Sequence, residues 1–331
     1  MGMVTIASLK FTPGVQTLDA GYAMVRDDLV TRRFWTVELR DTEGRVGIGE
    51  AAPWPGSGVS STDLGNATNI FEQHFLGQTI RLGDLLGHEL QLPECSAAAS
   101  HGLEQALLNL FAQQIDEPVE RLLDRSPADE VSTHVLVHGA ESAMAAVAAG
   151  IKTLKVKGSG ELDLDDARLE AIRGAVPDAA LRLDMNGAWN REQAAIALDR
   201  LSRHRLEWVE QPTPQDDLDS LAWLKARFPM AIAADESVIH HHEKLIADGL
   251  ADVIVVKPMF LGGMVTAKTI AEGARRQGLQ VCVTHALESP VGRRGALELA
   301  AALNLTETHG IAPMNLEAIV DGRVKLNGGM L

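Results

Sequence analysis

The stretch Gly150-Ile-Lys-Thr-Leu-Lys-Val-Lys-Gly158 sets the apolar Ile151, Leu154 and Val156 against the basic Lys152, Lys155 and Lys157. Side chains on a strand alternate between its faces, so Lys155 and Lys157 share one face and Val156 takes the other. A surface strand would read the same way; the residues downstream argue for more. Asp184 closes Leu-Arg-Leu-Asp, Glu210 closes Glu-Trp-Val-Glu, Asp235 closes Ala-Ile-Ala-Ala-Asp, and Lys257 closes Val-Ile-Val-Val-Lys. Counted from Lys157, the steps are 27, 26, 25 and 22 residues. Each step suits one strand and one return helix, the parallel βα unit. If each charge ends its strand, all converge on the carboxyl-end rim of one parallel barrel, where barrel active sites lie. Three carboxylates there make a site for a hard cation. Lysines on either side of it could manage a proton.

Composition narrows the rest. The chain has 331 residues, 46% of them hydrophobic, with a mean hydropathy of +0.00, which suits one large or two ordinary soluble domains. A net charge of -15 argues against a nucleic-acid or anionic-membrane partner, although a bound dication can locally reverse the field for a small-molecule carboxylate. Cys95 and Cys282 are too few for a disulfide scaffold or zinc cluster, and Cys282 reads as a buried inert thiol. Without a signal-like amino terminus or an apolar run of about 20 residues, a cytoplasmic protein is expected. Nothing in the composition sets an oligomeric state.

Taken in order, residues 34–50 read as a hairpin and 52–61 as a Pro/Gly/Ser-rich loop. Residues 62–76 and 79–91 are expected to be helical, and a long amphipathic helix is expected over 96–123. Strands are expected at 132–137, 151–157, 181–184, 206–209, 231–234, 253–256 and 280–283, with a last short one near 311–316. Helices fill the intervals. The fold class is therefore α/β: a modified (β/α)7β, TIM-like barrel over residues 96–320, preceded by an α+β region over 1–95. The last residues are expected to return to that first region.

The order Lys-x-Lys (155–157), Asp-x-Asn (184–186), Glu-Gln-Pro (210–212), Asp-Glu-Ser (235–237) and Val-Lys-Pro (256–258) resembles the enolase superfamily in its muconate-lactonizing branch. The likeness runs along nearly the whole chain, and Gly49-Glu50 with its loop resembles that family's capping domain. Within the branch, Lys257-Pro-Met-Phe-Leu-Gly-Gly-Met264, Ala286-Leu-Glu-Ser-Pro-Val-Gly-Arg293 and Leu299-Ala-Ala-Ala-Leu303 are most similar to the o-succinylbenzoate synthases, dehydratases of menaquinone biosynthesis.

That resemblance implies Mg2+, or Mn2+ in its place, on Asp184, Glu210 and Asp235, a use of lysine and magnesium general to the superfamily. Lys157 would be the base and, once charged, would protonate the departing hydroxyl. Lys257 would stay charged opposite it, with Lys155 beside the base. Asn186 and Glu236 are expected to support the metal ligands. Arg182, on the inward face with Asp184, either steers the substrate or pairs with an acid inside the barrel. Thr284, His285, Ser289 and Trp54 are candidate substrate contacts, with Met24 a lesser one. Where the synthases often read Ser-Ser, this chain has Thr284-His285. N-acylamino acid racemase, dipeptide epimerase and muconate cycloisomerase are the alternatives on the same scaffold, and a non-catalytic metal-binding scaffold is the rival outside enzymes. Dipeptide epimerases carry an Asp-x-Asp pair after the last strand, which Pro313-Met-Asn-Leu-Glu-Ala-Ile-Val-Asp321 lacks. Two apparent motifs carry no site. In His240-His241-His242, neighbouring helical side chains point about 100° apart. Gly262-Gly263 lacks the further glycine of a dinucleotide fingerprint.

Overall fold

A computed structural model describes the chain apart from residues 1, 19–30, 56, 58, 60, 91, 94, 314–317 and 327–331. Met24 and residues 314–317 therefore lie outside the described residues. Strands β1 (Met3–Thr17), β2 (Thr31–Asp41), β3 (Val46–Ala51) and β4 (Thr79–Arg81) form an antiparallel sheet in the order β3-β2-β1-β4. The expected hairpin is present and longer than 34–50, because β2 also pairs along β1. Helix α1 (Ser61–Phe75) follows the loop. The helix expected over 79–91 is instead β4 followed by the short α2 (Leu82–Leu86). Ile80 alternates with two exposed neighbours and seats that strand on the edge of β1.

The long helix expected over 96–123 is two: α3 (Ala97–Ile115) and α4 (Val119–Leu123). Asp116 at φ 54° ends the first in the left-handed region, and Pro118 opens the second. Helix α3 lies directly on β3, because the contact is made by residues with little or no side chain. A Cβ on Gly49 would collide with the carbonyl of Gly102, and one on Gly47 with that of Ala106. Gly49→Ala is therefore expected to cost about 1–3 kcal/mol by overpacking. Gly65→Ala, at an exposed position of α1 with open space around it, should be neutral or slightly stabilising. Urea unfolding of the two variants side by side checks the contrast.

After β5 (Glu130–Ser132) and β6 (Val135–Val137), strands and helices alternate: α5 (Ala140–Ala148), β7 (Thr153–Lys157), α6 (Leu162–Ala175), β8 (Ala180–Asp184), α7 (Arg191–Leu201), β9 (Leu206–Glu210), α8 (Leu218–Arg227), β10 (Ala231–Ala234), α9 (Glu236–Ala247), β11 (Val253–Val256), α10 (Pro258–Leu261), α11 (Met264–Arg276), β12 (Gln280–Val283) and α12 (Pro290–Leu303). β6 to β12 form one parallel sheet in sequence order. The strand expected near 311–316 is not formed at 311–313. Its place is taken by His309 and Gly310, which bridge Thr133 and Thr284 and so join the two edges of the sheet. Inside the barrel Trp208, Ala233, Val253, Val255 and Cys282 pack as a separate apolar cluster, while Leu154, Val156, Leu181, Leu183, Ile232 and Ile254 face the helices. β13 (Ile319–Val320) and β14 (Arg323–Lys325) return to β5, not to the antiparallel sheet. Among the described residues no helix is long and apolar enough to cross a membrane.

Two buried carboxylates fasten the N-terminal part to the barrel. Glu50, on β3, accepts from the amides of Ser289 (3.0 Å) and Gly292 (3.1 Å) and from the Ser289 hydroxyl at the start of α12. Glu104, on α3, accepts from the amides of Met264 and Val265 at the start of α11. Each places a negative group on unpaired N–H groups at the positive end of a helix.

Candidate functional site

The parallel register fixes which side chains meet. Lys155 pairs with Arg182 and Lys157 with Asp184, and Arg182 and Asp184 in turn stand beside Trp208 and Glu210. Lys155 and Lys157 thus share the inward face, with Asp184 level with the second of them. Asp235 follows the last residue of β10, and Lys257 the last of β11.

Asp184, Glu210 and Asp235 are all buried, and each offers an oxygen within 4.8 Å of the others. Three convergent anionic oxygens, with no nitrogen or sulfur donor among them, fit a hard divalent cation. The lysines lean onto this cluster. Lys155 Nζ lies 2.8 Å from Asp184 Oδ2 and 2.7 Å from Glu210 Oε1. Lys157 Nζ lies 2.7 Å from the same Asp184 oxygen and 2.8 Å from Asn186 Oδ1. Lys257 Nζ lies 2.5 Å from Asp235 Oδ2.

Burial alone would lower the pKa of Lys155, but Asp184, Glu210 and Asp235 outweigh it and hold it well above the ordinary lysine value. Burial opposes Lys257 in the same way, and Asp235 and Glu236 likewise raise it. Burial would lift Asp184; Lys155 and Lys157 outweigh it and keep it far below the ordinary range. Glu210 goes the other way. Burial, with the Asp184 carboxylate next, pushes it up to about 7 despite Lys155. Burial also raises Asp235, against the pull of Lys257.

The surrounding residues hold these groups in place. Asn186, at φ 46°, accepts from Lys157 and donates to Glu236 Oε1 at 2.9 Å. Glu236 Oε2 is buried without a partner among the described residues. Gln211, which the sequence reading passed over, receives the amides of Asp235 (2.9 Å) and Ser237 (3.2 Å) on one oxygen. Its position in Glu-Gln-Pro was the signal available.

A cavity of about 900 Å³ opens above the cluster, lined by Lys155, Lys157 and Lys257 and by apolar residues such as Trp54, Met259 and Phe260. Trp54 meets Phe260 edge-on, with ring centroids 6.1 Å apart. Thr284 and His285 also line it. Ser289 is placed elsewhere: it caps α12 and donates to Glu50. Arg182 lies beneath the cavity, 1% exposed, stacked 3.5 Å over Trp208 and bound to Glu207, whose side chain is 40% exposed, so it does not line the cavity and its acid partner stands at an exposed position. Cys282 is buried, and burial pushes its thiol up to about 11. The three consecutive histidines go separate ways: His240 lines the cavity, His241 reaches Asp216 and His242 the carbonyl of Val238.

The family described as enolase C-terminal domain-like matches residues 139–331. An aromatic dipeptide epimerase of Herpetosiphon aurantiacus is 33% identical over 80% of this chain and 78% of its own length. An o-succinylbenzoate synthase of Thermobifida fusca is 39% identical, but over 53% of this chain and 56% of its own. A crystal structure of the dipeptide epimerase of Enterococcus faecalis, complexed with Mg and L-Leu-L-Tyr, superposes with a TM-score of 0.86 at 26% identity, covering 98% of this chain and 97% of that one.

Proposed function

This chain belongs to the enolase C-terminal domain-like family, and from that premise we propose that it transfers the α-proton of a carboxylate substrate between two lysines, as a racemase or epimerase. One observation carries the reading. Lys157 on β7 and Lys257 after β11 flank the three acids of β8 to β10, and both lysines line the cavity. A substrate seated over the acids has a lysine on either face. Neutral Lys157 would take the α-proton from one face while ammonium Lys257 returns one to the other, and the roles reverse for the other enantiomer. Lys155, held by Asp184 and Glu210, stays charged and adds positive potential on the Lys157 side. Asp184, Glu210 and Asp235 would hold Mg2+, which when bound neutralises the substrate carboxylate and the charge that grows on it as the proton leaves. In this reading residues 1–95 act as a cap over a barrel of residues 96–320.

The 39% identity to the Thermobifida synthase favours a second reading, dehydration of 2-succinyl-6-hydroxy-2,4-cyclohexadiene-1-carboxylate to 2-succinylbenzoate. There Lys157 alone would remove the proton and then protonate the departing hydroxyl. One experiment tests both. Protein with Mg2+ in D2O is given N-succinylamino acids and dipeptides while the α-proton signal is followed by NMR, and separately the cyclohexadiene while its absorbance is followed. Chelator-sensitive α-deuteration supports the racemase or epimerase. Fast chelator-sensitive loss of the diene without deuteration supports the synthase. Absence of both α-deuteration and diene loss would sink both readings.

A further inference from the structure

Across the cavity from the three acids, the wall is the seam where His309-Gly310 joins the two edges of the sheet. His134 stands there, just before β6, and lines the cavity with Thr284 and Gly310. Its Nδ1 lies 2.7 Å from Arg182 Nη1. A guanidinium can only donate, so Nδ1 must accept and the ring hydrogen must sit on Nε2. The arginine cannot turn away. Glu207 holds Nε at 2.7 Å and Nη2 at 3.3 Å, Thr308 O receives Nη1 at 2.8 Å, and Trp208 covers the guanidinium face.

The opposite nitrogen is left over. His134 Nε2 lies 2.8 Å from where a Cβ on Gly310 would stand, beside Thr284 Oγ1, and has no hydrogen-bond partner among the described residues. The Thr284 hydroxyl has the carbonyls of Gly310 (3.0 Å) and His285 (3.3 Å) within reach of its hydrogen. The imidazole N–H is thus a fixed donor at the cavity wall, and glycine at 310 is what lets it stand there.

We propose that His134 donates Nε2–H to an oxygen on the part of the substrate farthest from the metal-site acids, and that Arg182 is the positioning residue that fixes this polarity. This rests on the α-proton-transfer reading and narrows it. The distal group must be an acceptor, such as the second carboxylate of an N-succinyl group, and not the free ammonium of a dipeptide.

The test uses whole, Mg2+-loaded protein with 15N-labelled histidine. The free enzyme should show His134 protonated on Nε2 only. Adding N-succinyl-L-phenylalanine should shift that N–H, whereas L-Ala-L-Phe should leave it unmoved. Arg182→Gln, whose amide can donate or accept, should give mixed tautomers. With the acylated substrate, His134→Ala should raise KM roughly 10- to 100-fold with a smaller change in kcat, the effect of one lost donor, and His134→Gln should recover part of it. Hydrogen on Nδ1, an N–H unmoved by the acyl probe, or an unchanged KM in His134→Ala would overturn the proposal. The NMR readings need no turnover. Absent α-deuteration with a shifted N–H would therefore fault the proposed reaction and leave the donor standing.

Discussion

Lys157→Ala is expected to lower racemisation by about a thousandfold or more, within the range that a positioned acid/base group contributes. The loss should fall on chemistry and not on folding. Lys157 reaches into the cavity, and its side chain is 19% exposed. Asp184 keeps Lys155 at 2.8 Å when Lys157 is gone, so the buried carboxylate is not left unpaired. Asn186 remains tied to Glu236. Thermal unfolding and Mg2+ affinity should therefore stay close to the parent's. The α-proton signal in D2O adds a finer distinction. If two lysines serve opposite faces, Lys157→Ala and Lys257→Ala should each abolish exchange with a different enantiomer. If Lys157 is the sole acid/base group, its loss removes all turnover, and Lys257→Ala slows the reaction without choosing an enantiomer. Racemisation within tenfold of the parent in Lys157→Ala would sink both mechanisms.

Removing the divalent cation with chelator should abolish activity, and the affinity for Mg2+ should depend on pH in a predictable direction. Glu210 has its carboxyl pushed from the ordinary value near 4.5 up to about 7, by burial first and then by Asp184. Below that pH the carboxyl carries a proton that a cation must displace. Apparent affinity should therefore fall as pH drops, by about tenfold per unit for one displaced proton. Above about pH 8 it should level off. Calorimetry at pH 6 in buffers of different ionisation enthalpy should show proton release, and none in Glu210→Gln. Saturating Mg2+ at about 100 times its dissociation constant should add about 2.7 kcal/mol to stability at neutral pH. An affinity that does not vary between pH 6 and 8 would contradict the assignment of Glu210.

Much of this was legible in the sequence because the charged residues lie at strand ends. A period of two and a repeat of one strand plus one helix place Lys157, Asp184, Glu210, Asp235 and Lys257 on one rim without any tertiary information. What resisted reading was whatever depends on a partner distant in sequence. Ser289 follows a loop like a ligand contact, yet Glu50, 239 residues away, claims it. Arg182 has the same inward parity as Asp184, but one layer lower it meets Glu207 and Trp208 instead of the cavity. The last barrel strand has no alternating run to announce it, since two bridging residues suffice to join the edges. His134 lay inside a stretch expected to be strand, and only the arginine beneath it shows which nitrogen bears the hydrogen.

The fastening of the N-terminal part by Glu50 and Glu104 bears on how such proteins could be recombined. A chimera that sets a relative's cap on this barrel must bring an acid to the amides of residues 289 and 292 and another to those of residues 264 and 265. Helix α3 cannot be left behind either, since it carries Glu104 and fits only a β3 with glycine at 47 and 49. The unit of exchange is then residues 1–115, and a junction cut at residue 95 would separate the sheet from the helix moulded to it.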